Sequence, residues 1–487
     1  MKISLLLKAS SILSFLILFN VMFGEAAGKV KIYPAPKGEV LSELFTVAVA
    51  GKKVPVYITK VASADEKSRF KGMDDKQRSA DFFDLAAFAS FELLSGSVVV
   101  TVSAPTHVTS AKILPASANI IPSIKNKSVS FTVTRTGSFT VEVNGEIIKS
   151  LHLFVNPPEK GIPAKNDPNV IYFGPGIHDI GELAVGDNKT VYIAGGAIVR
   201  AIIKPEEKFT TNKETGLRNY APSIRLAGKN ITIRGRGIID GSACPTHARN
   251  MIMVTGLNIK MEGIILRDPP LWTVPVRRSD NVSIENIKIL GYRANSDGID
   301  ICNSRNVTVS NCFIRTLDDL VVIKSDKGQG VVKGVLVKNC VLWNQVAHAL
   351  SVGAEIREDV DDVLFTDNDI IHDIGREWSM RIYHCDAAKI SNIRFENIRV
   401  DETKKFISVW IGKAVWSRDA ERGNINGVTF KNIKVNGKMP MSIALVGYDD
   451  AHSIEDVKFE GITLDGKPIS QNIIQSNAFV KRVVVSP

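Results

Sequence analysis

The second half of the chain carries a nine-residue alternation of apolar and polar positions, recurring at 258–266, 281–289, 306–314, 334–342, 362–370, 392–400, 427–435 and 456–464. Successive starts lie 23 to 35 residues apart. The second position is always Ile or Val, and the fourth is Met261, Ile284, Val309, Val337, Phe365, Phe395, Phe430 or Phe459. Such alternation marks short strands with one buried face. The sixth position is always Gly, Asn or Asp, the residues that tolerate a left-handed backbone, so each phrase predicts strand, one-residue corner, strand. A third strand per unit is expected after a variable loop, at 273–276, 298–302, 320–324, 350–353, 380–383, 406–411 and 442–446. Three strands per coil, with coils about 4.8 Å apart, predict a right-handed parallel β-helix. Leucine-rich repeats are excluded by their missing Leu spacing, and a β-propeller by units too short for a four-stranded blade. Cys312 and Cys340 both take the seventh phrase position and read as buried thiols of an interior stack.

Before residue 160 the pattern changes. Segments 45–58, 97–103, 111–114, 128–133 and 138–143 alternate as strands in no repeating order, and Asn144-Gly145 predicts a hairpin turn. The expected organisation is all-β: a β-sandwich over 28–157, a Pro-rich linker over 158–168 and the β-helix over 169–487. Ahead of these, residues 1–27 read as a signal peptide, with a basic start, an apolar run from Leu5 to Phe23 and small residues after it. No second apolar stretch is long enough to span a membrane, so a secreted or periplasmic protein is expected.

Composition narrows the partner. The net charge of +10 favours an acidic one, and the Lys and Arg residues are dispersed rather than clustered, which argues against nucleic acid. An acidic polysaccharide fits, with the protein acting as a monomer. Five Cys in a chain this long do not form a small disulfide framework, and no CxxC or HExxH motif signals a metal. No metal or cofactor is expected.

Chemistry gathers just before the third strands. With Ile299, Val321, Leu350 and Met380 as first inward residues, Asp297, Asp319, His348 and Trp378 fall two positions earlier, and Asp318 three. Arg381 and Tyr383 alternate outward on the fourth of these strands. Stacked coils then place three carboxylates, an imidazole and a guanidinium in one column. Carboxylates on a rigid wall suit acid and base work on a glycosidic bond, and their mutual repulsion keeps one protonated near neutrality.

The order Asn295-Ser296-Asp297, Leu317-Asp318-Asp319, Ala347-His348-Ala349 and Arg381-Ile382-Tyr383 resembles the motif set of the polygalacturonase family, glycoside hydrolase family 28 of the pectinase β-helix clan. That family's patterns are N-T-D, G/Q-D-D, G-H-G and R-I-K. The resemblance covers residues 165–487, while the leading β-sandwich is similar in layout to the dextranase family. It implies inverting hydrolysis, with Asp318 as general acid and Asp297 and Asp319 holding and deprotonating the attacking water. His348 would support the acid and Arg381 would grip the sugar. Asn295, Lys324, Tyr383 and Trp378 complete the expected substrate-binding set. Inversion is expected to separate acid and base by about 6.5–9.5 Å.

Three departures stand out. Ser296 replaces Thr, Ala347 and Ala349 flank the His where Gly is usual, and Tyr383 replaces the Lys that would bind a uronate carboxylate. Lys324, Arg376 and Lys413 are candidates to supply the missing charge, while Asp300, Glu355 and Arg357 are further subsite candidates. All five Trp lie in the β-helix half, with Trp378 and Trp410 beside the expected face. The reading is a secreted inverting hydrolase of a pectic polysaccharide. Hydrolysis of an α-1,6-glucan, a lyase using a Lys or Arg base, and a non-catalytic glycan-binding β-helix are the alternatives.

Overall fold

A computed structural model of the chain describes residues 28–69, 82–213, 216–436 and 442–487. The expected signal peptide, 1–27, lies outside the described residues. From Val170–Phe173 onward the coil strands pair in parallel with their counterparts on the next coil, apart from the antiparallel pairs Phe209–Thr211 with Arg218–Tyr220 and Thr463–Leu464 with Lys467–Pro468, and the result is a right-handed parallel β-helix built on a 21-stranded and a 12-stranded sheet. One coil shows the rule. The first half of its phrase, Asp280–Glu285, lies in the large sheet, the second half, Lys288–Leu290, in the smaller one, and the third strand, Ile299–Cys302, returns to the large sheet. Only a shallow bend separates a third strand from the next phrase, and Ile224–Gly235 runs through that bend unbroken.

The register explains the repeat. Val282, Val307, Val335, Val363, Ile393, Val428 and Val457 stack one above another at the second phrase position. At the fourth, Phe365, Phe395, Phe430 and Phe459 form a near-parallel ladder with centroids 4.9, 4.9 and 5.1 Å apart. All eight sixth-position corners have φ between 51 and 82°. The first position is a second left-handed corner, with φ between 53 and 73° in all eight phrases, which the apolar pattern does not mark. Its side chains form ladders of their own: the Asn281 amide donates to Asn258 Oδ1 at 2.7 Å, and the Asn258 amide to Asn230 Oδ1 at 3.0 Å. Cys312 and Cys340 are buried free thiols.

The N-terminal unit holds a five-stranded and a six-stranded sheet around a core that includes Val47, Val100, Phe131, Phe91 and Leu153. The Asn144-Gly145 turn forms as expected, with φ of 57 and 76° and Val143 paired to Glu146. Segment 45–58, expected as one strand, is broken. A left-handed turn at Ala50-Gly51 and a Pro at position 55 divide the region into Thr46–Val49, Lys52–Val54 and Val56–Ala62. Two long strands were not anticipated, Phe83–Ser95 and Glu146–Asn156, and they pair in parallel at the centre of the six-stranded sheet.

That sheet packs its outer face on the 12-stranded sheet, burying Phe88, Phe154 and Leu114 against Leu290, Phe313 and Trp343. Buried charges meet at this seam: Arg236 Nε donates to Glu92 at 3.0 Å, His372 of the coil lies 2.5 Å from the sandwich's Glu142 and 2.5 Å from half-exposed Glu402 of its own unit, and buried Arg315 and Lys288 donate to the uncharged partners Ser150 and Asn156. The end of Val56–Ala62 reaches further, since Ala62 clusters with Ala294, Leu317 and Val346 and its amide donates to Gln345 Oε1 at 3.3 Å. Among the described residues no helix is long and apolar enough to cross a membrane.

Candidate active site

Ala294, Leu317 and Val346 stand three, one and two residues before Asp297, Asp318 and His348 of the expected column. The third strands that follow, Ile299–Cys302, Val321–Ser325, Leu350–Ile356 and Met380–His384, lie in parallel register with Ile299, Val321, Leu350 and Met380 aligned. The turns leading into them therefore stack, and Asp297, Asp318 and Asp319 converge with one carboxylate oxygen each within 4.8 Å of one another. All three are buried. These nearest oxygens are closer than the separation anticipated for an inverting pair.

Each carboxylate has different company. Asp318 accepts from the Asp319 backbone N–H at 3.0 Å and from the Asn295 amide at 3.3 Å. Asp319 Oδ1 meets His348 Nδ1 at 2.6 Å, while Arg381 donates to His348 Nε2 at 3.1 Å. A guanidinium only donates, so Nε2 is the accepting nitrogen and Nδ1 carries the proton given to Asp319. Lys324 Nζ donates at 2.9 Å to both Asp297 and Asp300. Asp297 Oδ1 is buried without a hydrogen-bond partner in the protein.

These surroundings push the three acids apart. Burial, then the charges of Asp297 and Asp319, hold the Asp318 carboxyl well above the usual carboxylate range. Burial also raises Asp297, against the pull of Lys324. For Asp319 burial is outweighed by His348, and its pKa falls below the ordinary value. Lys324 is held protonated well above its ordinary range because Asp297 and Asp300 outweigh its own burial. The set thus offers a protonated acid beside an ionised carboxylate, the division of labour that acid–base cleavage requires. One oxygen from each Asp is also close enough to share a cation, and Lys324 already brings a positive charge to Asp297.

A cleft of about 490 Å³ opens over these groups. Eight of the nine residues named from sequence line it: Asn295, Asp297, Asp318, Asp319, Lys324, His348, Arg381 and Tyr383. Trp378 is not among the lining residues and has the Lys405 ammonium 5.9 Å from its ring. The aromatic walls are instead Trp272 and Trp416, with Tyr383. Trp272 stands two residues before Val274, which pairs with Ile299, so the counting that found Asp297 would have found it one coil earlier. Trp416 comes from the loop after Ile407–Ile411, where no register applies. Glu377 was not singled out, yet it accepts from Arg381 at 2.9 Å. Glu355 and Arg376 also line the cleft. A larger groove of about 750 Å³ lies elsewhere, between the two units, and there Asp369 is paired with Arg399.

Comparison with known proteins places the architecture. Probable exopolygalacturonase B of Aspergillus niger is 23% identical over 303 residues, 54% of this chain and 61% of that protein. An exopolygalacturonase of Zea mays is 23% identical over 275 residues, 51% of this chain and 63% of that one. The chain thus spans about three-fifths of the length of these curated relatives. The hyperthermoactive exopolygalacturonase of Thermotoga maritima shares the fold with TM-score 0.53 and 18% identity, over 65% of this chain and 84% of that one. Dex49A of Penicillium minioluteum aligns at TM-score 0.52 and 13% identity over 91% of this chain and 92% of its own, so the likeness takes in both units. The model of glycosyl hydrolases family 28 matches residues 210–482, which include every carboxylate of the cleft, and the chain belongs to that family.

Proposed function

We propose that the protein hydrolyses glycosidic bonds of a pectic polysaccharide in the cleft formed by Asp297, Asp318 and Asp319. The carrying observation is the crowding of three buried carboxylates within 4.8 Å with their pKa values driven in opposite directions. Asp318 donates its proton to the leaving glycosidic oxygen. Asp319, kept ionised by His348, and Asp297, kept in place by Lys324, hold the water and take its proton. Arg381 positions the sugar and, through His348, orients Asp319. The pectic assignment is supported by family membership and by the relatives named exopolygalacturonase. Trp272, Tyr383 and Trp416 provide faces on which sugar rings stack.

The reaction proposed is inverting, a single displacement by water. The close approach of the carboxylates makes product stereochemistry the informative readout, and the NMR signal of the first anomer released should be opposite to that of the bond cleaved; retention would overturn this part. Export, directed by residues 1–27, completes the proposal, and mass spectrometry of protein recovered outside the cell should find a chain beginning after residue 27. The activity itself is tested by a polysaccharide panel read for new reducing ends and for ultraviolet-absorbing unsaturated sugars. Reducing ends without unsaturation are expected. Unsaturated products would make the protein a lyase, and silence across the panel would favour a binding role.

A further inference from the structure

The chain carries ten surplus positive charges, but the cleft does not share them. Five carboxylates line it, Asp297, Asp318, Asp319, Glu355 and Glu377, against Lys324, Arg376 and Arg381. With Asp318 protonated, the remaining four still outnumber the three Lys and Arg side chains. None of those cations is free. Lys324 gives its ammonium to Asp297 and Asp300 at 2.9 Å, with Trp272 at 4.0 Å from it. Arg381 donates to Glu377 and to His348, and the Tyr383 ring covers its guanidinium at 3.8 Å. Tyr383 is itself braced edge-on by Trp410 at 4.8 Å. At this point of the cleft an aromatic face stands where a second cation would be needed to compensate an incoming carboxylate, and Glu377 adds a charge of the wrong sign.

We propose that the sugar seated against Arg381 and Tyr383 is uncharged at its C6 position, either a neutral hexose or an esterified uronate. The inference rests on the hydrolase reading above and sharpens its substrate class. A free uronate there would meet Glu377 in a partly desolvated site, where like charges repel strongly, while an uncharged pyranose keeps its stacking on Tyr383 and its hydrogen bonds from Arg381.

Three oligosaccharides of one length and linkage test this, since only C6 differs: α-1,4-galacturonan as the free acid, its methyl ester, and its carboxyl-reduced form. The native protein should cleave the ester or the reduced chain with kcat/KM at least about tenfold above the acid, and which of the two leads identifies the source of the neutral sugar. Glu377→Gln should narrow the gap, and Tyr383→Lys should bring the acid level with the neutral forms or ahead of them. Preference for the acid in the native protein, or a ratio unmoved in both variants, would overturn the inference while leaving the hydrolase reading intact. Cleavage of none of the three would overturn both.

Discussion

The β-helix buries charge at its seam with the sandwich and in the cleft, among other places, and these two are arranged differently. At the seam two buried groups meet the opposite sign, Arg236 with Glu92 and His372 with Glu142, while Arg315 and Lys288 are held by uncharged partners. In the cleft like signs are pressed together, with three carboxylates converging and one oxygen of Asp297 left unpartnered. Buried pairs of opposite sign fix how two surfaces dock, and removing one member is costly. Crowded like charges gain nothing for stability and instead separate pKa values for chemistry. The same fold therefore holds a docking use of buried ions at Arg236–Glu92 and, on the function proposed, a chemical use of them in the cleft.

Substitution should separate them. Asp318→Asn is expected to lower kcat by about 10³-fold, the scale of a lost general acid, with the melting temperature nearly unchanged because the carboxyl is already protonated there. A collapse of the fold would break the comparison. Glu92→Gln should do the reverse, lowering unfolding free energy by about 3–5 kcal/mol by stranding Arg236, with kcat of the folded fraction retained; denaturant melts and assays of the same sample read both.

Lys324→Met removes the partner of Asp297 and raises further a pKa that burial already elevates. Because Asp297 is proposed to work ionised, the acidic limb of the pH–rate profile should move to higher pH, with kcat down about tenfold or more. The smallest effect concerns Asp373, a buried acid whose pKa burial lifts to about 7 against hydrogen bonds from Ser379 and Asn344. Its folded pKa lies above its unfolded one, so the folded state holds the extra proton and stability falls as pH rises from about 4 to about 7. Asp373→Asn should flatten the melting temperature over that window, and an unchanged slope would assign it to other groups.

Much of the coil was legible because each position repeats in the same environment. The sixth-position residues, the Phe ladder and the phase of the third strands all follow from register. The column of Asp297, Asp319 and His348 came with that phase. What the pattern missed has a physical cause. Phe83–Ser95 and Glu146–Asn156 sit in a sheet buried on both faces, Ala87 and Leu153 toward the sandwich core and Phe88 and Phe154 toward the coil, so their alternation is lost. Trp416 and Glu377 project from loops, whose paths no period sets. Trp378 holds the right phase yet misses the cleft, because the third-strand phase fixes its Cα and not the direction of its ring. Lys324, expected at the substrate, lines the cleft but is engaged by Asp297 and Asp300, a pairing that depends on distances between coils.

The central claim is that Asp318 gives the proton to the leaving oxygen. It is tested most directly by comparing kcat/KM of Asp318→Asn and the native protein on two substrates, the polysaccharide and an aryl glycoside of the same sugar, whose leaving group needs no proton. The account predicts a loss of about 10³-fold on the polysaccharide and of about tenfold or less on the aryl glycoside. Equal losses on both would contradict it and return Asp318 to a binding or water-holding role.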